Sequence, residues 1–68
     1  MPITLTINGE PRHYPGPLAA DELLTELGLD PRMVVVEVNR EIVRRSRLAE
    51  VRLGDGDQVE LVHFVGGG

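Results

Sequence analysis

Residues 3–10 read ITLTINGE, a short stretch that predicts a strand and the turn after it. Isoleucine and leucine alternate with threonine over residues 3–7, the pattern of a strand with one buried face. Asn8-Gly9 follows, and this dipeptide favours a tight hairpin because both turn positions need positive φ. We therefore expect residues 10–14 to return as a second strand, which Pro11 would place at a sheet edge or keep short.

The next segment has a helical repeat. Apolar residues recur with helical spacing between Leu18 and Leu27, and acidic residues fill the opposite side. Gly28 follows where a glycine commonly ends a helix. The pattern predicts one short amphipathic helix.

A second extended region follows the helix. Residues 33–39, MVVVEVN, are apolar and β-branched almost throughout, which predicts a central strand buried on much of both faces. A turn is expected at residues 39–41, and Ile42-Val43 is expected to form a short strand. The polar segment after it is expected to contact the core through Leu48 and Ala49.

The last strand is predicted at residues 58–65, after a short extended piece at 51–53 and a Gly-Asp turn at 54–57. Its side chains alternate between two faces, with Val59, Leu61, His63 and Val65 on one and Glu60, Val62 and Phe64 on the other. An economical arrangement sets the first and last strands side by side and parallel at the sheet centre, joined by a right-handed crossover.

This order of elements predicts an α+β fold, the ubiquitin-like β-grasp. We expect a mixed sheet of four to five strands with one main helix packed across one face. The β-grasp domain is expected to span residues 1–65 and to be followed by a flexible glycine tail at residues 66–68.

Composition excludes several classes of function. With 68 residues, 41% of them hydrophobic, the chain can form one small globular domain. It has no cysteine and no lysine, which excludes disulfides, thiolate metal sites, cysteine nucleophiles and Schiff-base chemistry. The net charge of −4 argues against nucleic-acid binding, and no apolar run is long enough to cross a membrane. No secretory signal is recognisable, so a cytoplasmic location is expected.

Few side chains offer chemistry of their own. His13 and His63 are predicted on different strands without further ligands, so no metal site is expected. Ser46 is the only serine, and a domain of this size has little room for a pocket; we expect no enzymatic activity. Asp55 and Asp57 are expected to shape their turn by binding local backbone amides.

Five of the seven cationic side chains lie between residues 40 and 52: Arg40, Arg44, Arg45, Arg47 and Arg52. One interpretation is a solvated surface with acids alongside. The other is a basic patch that meets an acidic partner surface.

Three glycines, Gly66, Gly67 and Gly68, directly follow the last strand. They are either a frayed tail or cloning remnant, or a terminus without side chains that can enter a narrow channel. In the second case the α-carboxylate of Gly68 would be the reactive group. ATP can convert a carboxylate into an acyl-adenylate, from which an amine gives an amide, a thiol a thioester and a sulfide equivalent a thiocarboxylate.

Five motifs together resemble the bacterial thiamine-biosynthesis sulfur carriers of the ThiS family. They are INGE at 7–10, DELL at 21–24, VEVNREIV at 36–43, DGDQVELV at 55–62 and HFVGGG at 63–68. The resemblance covers essentially the whole chain.

The resemblance implies a function in sulfur transfer. A ThiF-like adenylyltransferase would use ATP to adenylate the Gly68 carboxylate, and sulfur from a cysteine desulfurase would then give a thiocarboxylate. A ThiG-like thiazole synthase would receive the sulfur for the thiazole of thiamine. Gly66 and Gly67 would thread the partner channels, and the carrier itself would bind no cofactor. Val62 and Phe64 would join the docking surface, unless Phe64 is an ordinary core residue, and Arg44 and Arg45 are the basic residues expected there.

Other functions remain open at this point. The molybdopterin synthase small subunit shares the fold and the terminal chemistry, but it is usually longer and has a proline-containing segment before its glycine pair. Carriers for tRNA thiolation or cysteine synthesis would have the same terminus. A ubiquitin-like modifier would conjugate through Gly68, and an interaction module would have a passive tail.

Overall fold

The computed structural model describes residues 1–64, and its first element is the predicted hairpin. Strands β1 (Ile3–Ile7) and β2 (Glu10–Tyr14) pair antiparallel. Asn8 and Gly9 form the turn between them, with φ of 50° and 82°. β2 lies at the edge of the sheet. An edge strand tolerates Pro11, which has no backbone N–H, because its outer side has no neighbouring strand.

The helix is shorter than the sequence predicts. Leu18–Ala19 forms a short strand, β3, and the helix α1 spans Ala20–Glu26. A helical start at Leu18 was wrong because Leu18 pairs with Leu53 in a second, two-stranded sheet. At the start of α1 the Glu22 carboxylate accepts the backbone N–H of Ala19 at 2.7 Å. Gly28, with φ of 72°, follows the helix end as predicted.

Four strands follow the helix. A 3₁₀ turn at Pro31–Met33 leads into β4 (Val34–Val38), which turns back into β5 (Glu41–Val43). A second 3₁₀ segment, Arg45–Glu50, leads into β6 (Arg52–Leu53), the partner of β3. β7 (Gln58–His63) ends the sequence of strands among the described residues.

The main sheet has five strands in the order β2-β1-β7-β4-β5. β1 and β7 are parallel neighbours near its centre, whereas β4 pairs antiparallel with both β7 and β5. The predicted central pair and the single main helix are therefore confirmed. The two-stranded β3–β6 sheet was not predicted.

The core lies between the inner face of the sheet and α1. Its most deeply buried side chains are Leu5, Leu23, Leu24, Leu53 and Val59. Leu48 is buried as predicted, but Ala49 is exposed, because the 3₁₀ segment presents only one side to α1. The expectation that β4 is buried on much of both faces was also wrong. Its outer face carries no second layer, so Val35 is partly exposed.

Candidate functional site

Four apolar side chains on the main sheet are exposed to solvent. They form the outer patch, which consists of Val35, Ile42, Val62 and Phe64, with exposed fractions of 37%, 70%, 54% and 45%. Val35 lies opposite Val62 across β4 and β7. Exposed apolar residues that share one sheet face are typical of a surface that a partner covers.

The position of Phe64 follows from β-sheet geometry. Its backbone N–H donates to the carbonyl of Met33 at 3.0 Å, so the pairing with the β4 side extends one residue beyond β7. The alternation predicted for the last strand is correct, since Val59 is buried while Glu60 and Val62 are exposed. Phe64 is therefore outside the core, and the docking role of Val62 and Phe64 remains a prediction.

Val35 and Ile42 belong to the same face, although the sequence did not single them out. In the run Val34-Val35-Val36 the residue type does not alternate, so only the register of β4 against β7 shows which valine faces outward. Ile42 lies opposite Glu37 on β5 and faces the same way. The only signal for Ile42 in the sequence was an apolar residue in a short predicted strand next to a turn.

Acidic side chains border the outer patch. Glu37 and Glu60 lie directly opposite each other across β4 and β7, two positions along from the Val35–Val62 pair. Like charges in opposite cross-strand positions repel each other. The face that carries the apolar residues is therefore also locally negative.

The arginines between residues 40 and 52 are distributed along the chain from the β4–β5 turn to β6. Arg40 lies in the β4–β5 turn, Arg44 directly follows β5, and Arg52 lies on β6. Arg47 forms an ion pair with Glu50 at 3.0 Å on the exposed 3₁₀ segment. Arg44 and Arg45 are exposed and directly follow β5, and their docking role stays a prediction.

A short ion pair orders the turn that leads into β4. Arg32 Nη2 lies 2.8 Å from Asp30 Oδ2, and the backbone N–H of Arg32 donates to Asp30 Oδ1 at 2.9 Å. The Arg32 side chain, followed by its backbone N–H, holds the pKa of Asp30 at about 2, below its ordinary 3.8. This turn ends at Met33, whose carbonyl binds Phe64.

The turn before β7 is held by two aspartates. Asp57 accepts the backbone N–H of Gly54 at 2.8 Å, a local contact as predicted. The partner of Asp55 was predicted to be local as well, and this was wrong: Asp55 accepts the backbone N–H of Thr4 at 2.8 Å. That bond ties the turn to β1, a contact that local spacing does not show.

The remaining candidate residues lie on separate elements of the part of the chain from residue 1 to residue 64. His13 Nδ1 lies 3.0 Å from Thr4 Oγ1 on the β1–β2 hairpin, whereas His63 lies at the end of β7. Ser46 is exposed in the second 3₁₀ segment. No group of three or more potential metal ligands lies together in this part of the chain. No helix in residues 1–64 has the length and hydropathy to cross a membrane.

The glycine tail lies outside the described residues. This applies to the predicted sulfur-bearing residue, Gly68, to Gly66 and Gly67, and to the boundary at residue 65. The described part ends at Phe64, so the outer patch lies next to the start of the tail in the sequence.

Comparison with known proteins identifies related chains. The model of the ThiS family matches residues 5–68. A thiazole synthase of Paramagnetospirillum magneticum is 50% identical over 64 residues, which make up 94% of this chain and 20% of that protein. The chain thus spans about a fifth of the length of this relative. The sulfur carrier protein ThiS of Bacillus subtilis is 49% identical over 47 residues, 69% of this chain and 71% of that protein.

A solved structure has the same fold. The crystal structure of the thiamine biosynthesis protein ThiS from Geobacter metallireducens superposes with a TM-score of 0.84 at 38% identity. The match covers 97% of this chain and all of that one. The ubiquitin-like β-grasp predicted from the sequence is therefore confirmed.

Proposed function

The chain belongs to the ThiS family, and we propose that it is a sulfur carrier protein of thiamine biosynthesis whose cargo is held at Gly68. The observation that carries this proposal is the placement of the outer patch. Its residues Val62 and Phe64 lie four and two residues before Gly66, so a partner bound to this face would lie close to the point where the tail begins. The match of the family model, which extends to Gly68, supports the same assignment.

The proposed reaction takes place at the terminal carboxylate. A carboxylate is a poor acceptor for nucleophiles, because its leaving group would be an oxide or hydroxide. A ThiF-like adenylyltransferase would transfer AMP from ATP to the Gly68 carboxylate and release pyrophosphate. The terminal persulfide sulfur of a cysteine desulfurase would then form a C–S bond as the C–O bond to AMP breaks. A thiol reductant would supply the two electrons that cleave the S–S bond of the resulting acyl disulfide, which leaves a thiocarboxylate.

The carrier contributes recognition and reach. Burial of apolar surface against a partner is favourable because it removes that surface from water. The outer patch offers four such side chains on one face, Val35, Ile42, Val62 and Phe64. Glycines impose no Cβ on the walls of a narrow channel, so Gly66 and Gly67 would let the terminus enter an active site. Arg44 and Arg45 would add electrostatic steering toward an acidic partner.

A ThiG-like thiazole synthase is the proposed sulfur acceptor. The thiazole synthase of P. magneticum contains a segment 50% identical to this chain within a protein about five times as long. Two functions joined in one polypeptide meet at a high effective concentration. This relationship supports a partnership between the carrier and a thiazole synthase when the two are separate chains.

Loss of Gly68 tests the proposal. The wild-type chain, a variant lacking Gly68 and Gly68→Val are each incubated with a ThiF-like enzyme, ATP and a sulfide source, and then with a thiazole synthase and its other substrates. We expect sulfur transfer to the thiazole product only from the wild-type chain. Transfer from the chain lacking Gly68 at the wild-type rate would contradict the proposal, and circular dichroism verifies that all three chains are folded.

A further inference from the structure

The side-chain amide of Asn8 holds both backbone groups of one β7 residue. The Leu61 N–H donates to Asn8 Oδ1 at 2.7 Å, and Asn8 Nδ2 donates to the Leu61 carbonyl at 3.1 Å. Leu61 lies three residues before Phe64, in the part of β7 that leads toward the tail. The Asn8 side chain, 53 positions away in the sequence, therefore holds β7 near its C-terminal end.

This amide continues the β1–β7 pairing after β1 has ended. The two strands pair at Thr6↔Gln58 and Ile7↔Val59, and the Asn8 N–H donates to the Val59 carbonyl at 2.9 Å. The next bond of a parallel ladder would join the Leu61 N–H to the backbone carbonyl of residue 8. Because Asn8 turns into the hairpin with φ of 50°, its side chain supplies the acceptor instead.

The opposite side of β7 is held by β4. Val34 lies opposite His63, and the Phe64 N–H donates to Met33. A strand held on one side only can swing about that side, whereas bonds on both sides fix its direction. Asn8 provides the bonds on the β1 side at Leu61, beyond the last paired position of β1.

We propose that Asn8 is a positioning residue for the carrier tail, because it fixes the direction in which the chain leaves β7. The inference rests on the function proposed above. A tail whose base already points in one direction loses less conformational entropy on entering the activating enzyme, and so it binds more tightly. Asn8 acts through β7 and does not touch the reacting carboxylate.

Asn39 offers a matched control. It also has φ of 50° and also occupies the first position of a two-residue hairpin turn. Its side chain binds the start of β7 instead: Oδ1 accepts the Gln58 N–H at 3.0 Å, and Nδ2 donates to Asp57 Oδ1 at 3.1 Å. The two asparagines therefore differ in which end of the same strand they hold.

The test compares Asn8→Gly with Asn39→Gly. Glycine keeps the positive φ and removes the amide in both variants. The KM and kcat for thiocarboxylate formation are measured with a ThiF-like adenylyltransferase, ATP and sulfide, and urea unfolding verifies that each carrier is folded. For Asn8→Gly we expect the KM for the carrier to rise about three- to tenfold, with kcat unchanged. For Asn39→Gly we expect the wild-type KM.

Either of two results would overturn this inference and leave the proposed function intact. They are a wild-type KM for Asn8→Gly and the same rise in KM for Asn39→Gly. If Asn8→Gly does not fold, Asn8→Asp replaces it. That variant keeps the acceptor for the Leu61 N–H, loses the donor to the Leu61 carbonyl and is expected to raise KM as well; a wild-type KM contradicts this. A wild-type carrier that is never charged refutes the proposed function and the inference with it.

Discussion

Val35 and Val62 lie opposite each other across β4 and β7 on the face of the sheet that α1 does not cover. Both side chains are more than one-third exposed, at 37% and 54%. An apolar cross-strand pair stabilises a sheet modestly, by about 0.2–1 kcal/mol, and does not require exposure to water. This pair lies at the centre of the outer patch. Because it contributes little to the stability of the fold, a substitution there can weaken docking while the chain stays folded.

We expect Val62→Asp to weaken charging while the fold persists. The new carboxylate would be desolvated against the partner's apolar surface, beside the existing charge of Glu60. The KM for the carrier with the activating enzyme should rise at least about tenfold, since one unfavourable buried charge exceeds 1.4 kcal/mol. Thermal unfolding should show a loss of about 1 kcal/mol or less, the range of strand propensity.

Ala49→Asp is the matched control for this prediction. Ala49 is exposed on the second 3₁₀ segment, away from the outer patch, so the same charge is added at an apolar surface position. We expect its KM to equal that of the wild-type chain. An equal rise in both variants would show that added negative charge, and not the outer patch, governs recognition.

Arg40 adopts a backbone conformation that favours glycine. It occupies the second position of the β4–β5 turn with φ of 72°. We expect Arg40→Gly to raise the free energy of unfolding by about 0.5–1 kcal/mol, because glycine removes the Cβ strain of a left-handed residue. The measurement is urea unfolding.

Arg12→Gly provides the comparison for Arg40→Gly, since Arg12 is exposed on the regular strand β2. There glycine should lower stability by about 0.5–1 kcal/mol, because the unfolded chain gains freedom and no strain is relieved. Loss of stability at both positions would contradict the account of Arg40.

The Asp30–Arg32 ion pair predicts a measurable titration. We expect the Asp30 carboxyl carbon to titrate by NMR with a midpoint of about 2. Because folding lowers this pKa, the pair contributes stability above pH 3.8 and loses it as the pH falls through about 2. Arg32→Gln should return the pKa toward 3.8, whereas Arg47→Gln, which removes a separate ion pair, should leave it unchanged. An Asp30 titration midpoint near 3.8 in the wild-type protein would contradict the hydrogen bonds between Arg32 and Asp30.

The sequence predicted the main sheet because its signals are local. Alternation in residues 3–7, Asn8-Gly9 and the pattern of β7 each depend on neighbours in the chain. Leu18–Ala19 could not be assigned in this way, since its strand state depends on pairing with Arg52–Leu53 over thirty residues away. The helical spacing of Ala20, Leu23 and Leu24 begins directly after this strand, so no turn residue marks the boundary between the two elements.

The candidate site was predictable only in part, for the same reason. Val62 and Phe64 follow from alternation along one strand, whereas Val35 requires the β4–β7 register. The Asn8–Leu61 bonds join residues 53 positions apart, and the sequence signal of Asn8 is fully explained by its turn. A polar side chain with a second role in tertiary contacts leaves no local pattern.

The intact mass of the carrier tests the central claim most directly. Purified wild-type chain is incubated with a ThiF-like adenylyltransferase, ATP and a sulfide source, and weighed by mass spectrometry. The account predicts a gain equal to the replacement of one oxygen by sulfur, localised by fragmentation to Gly68. A mass that stays unchanged, while a known ThiS carrier is charged in the same reaction, would contradict it.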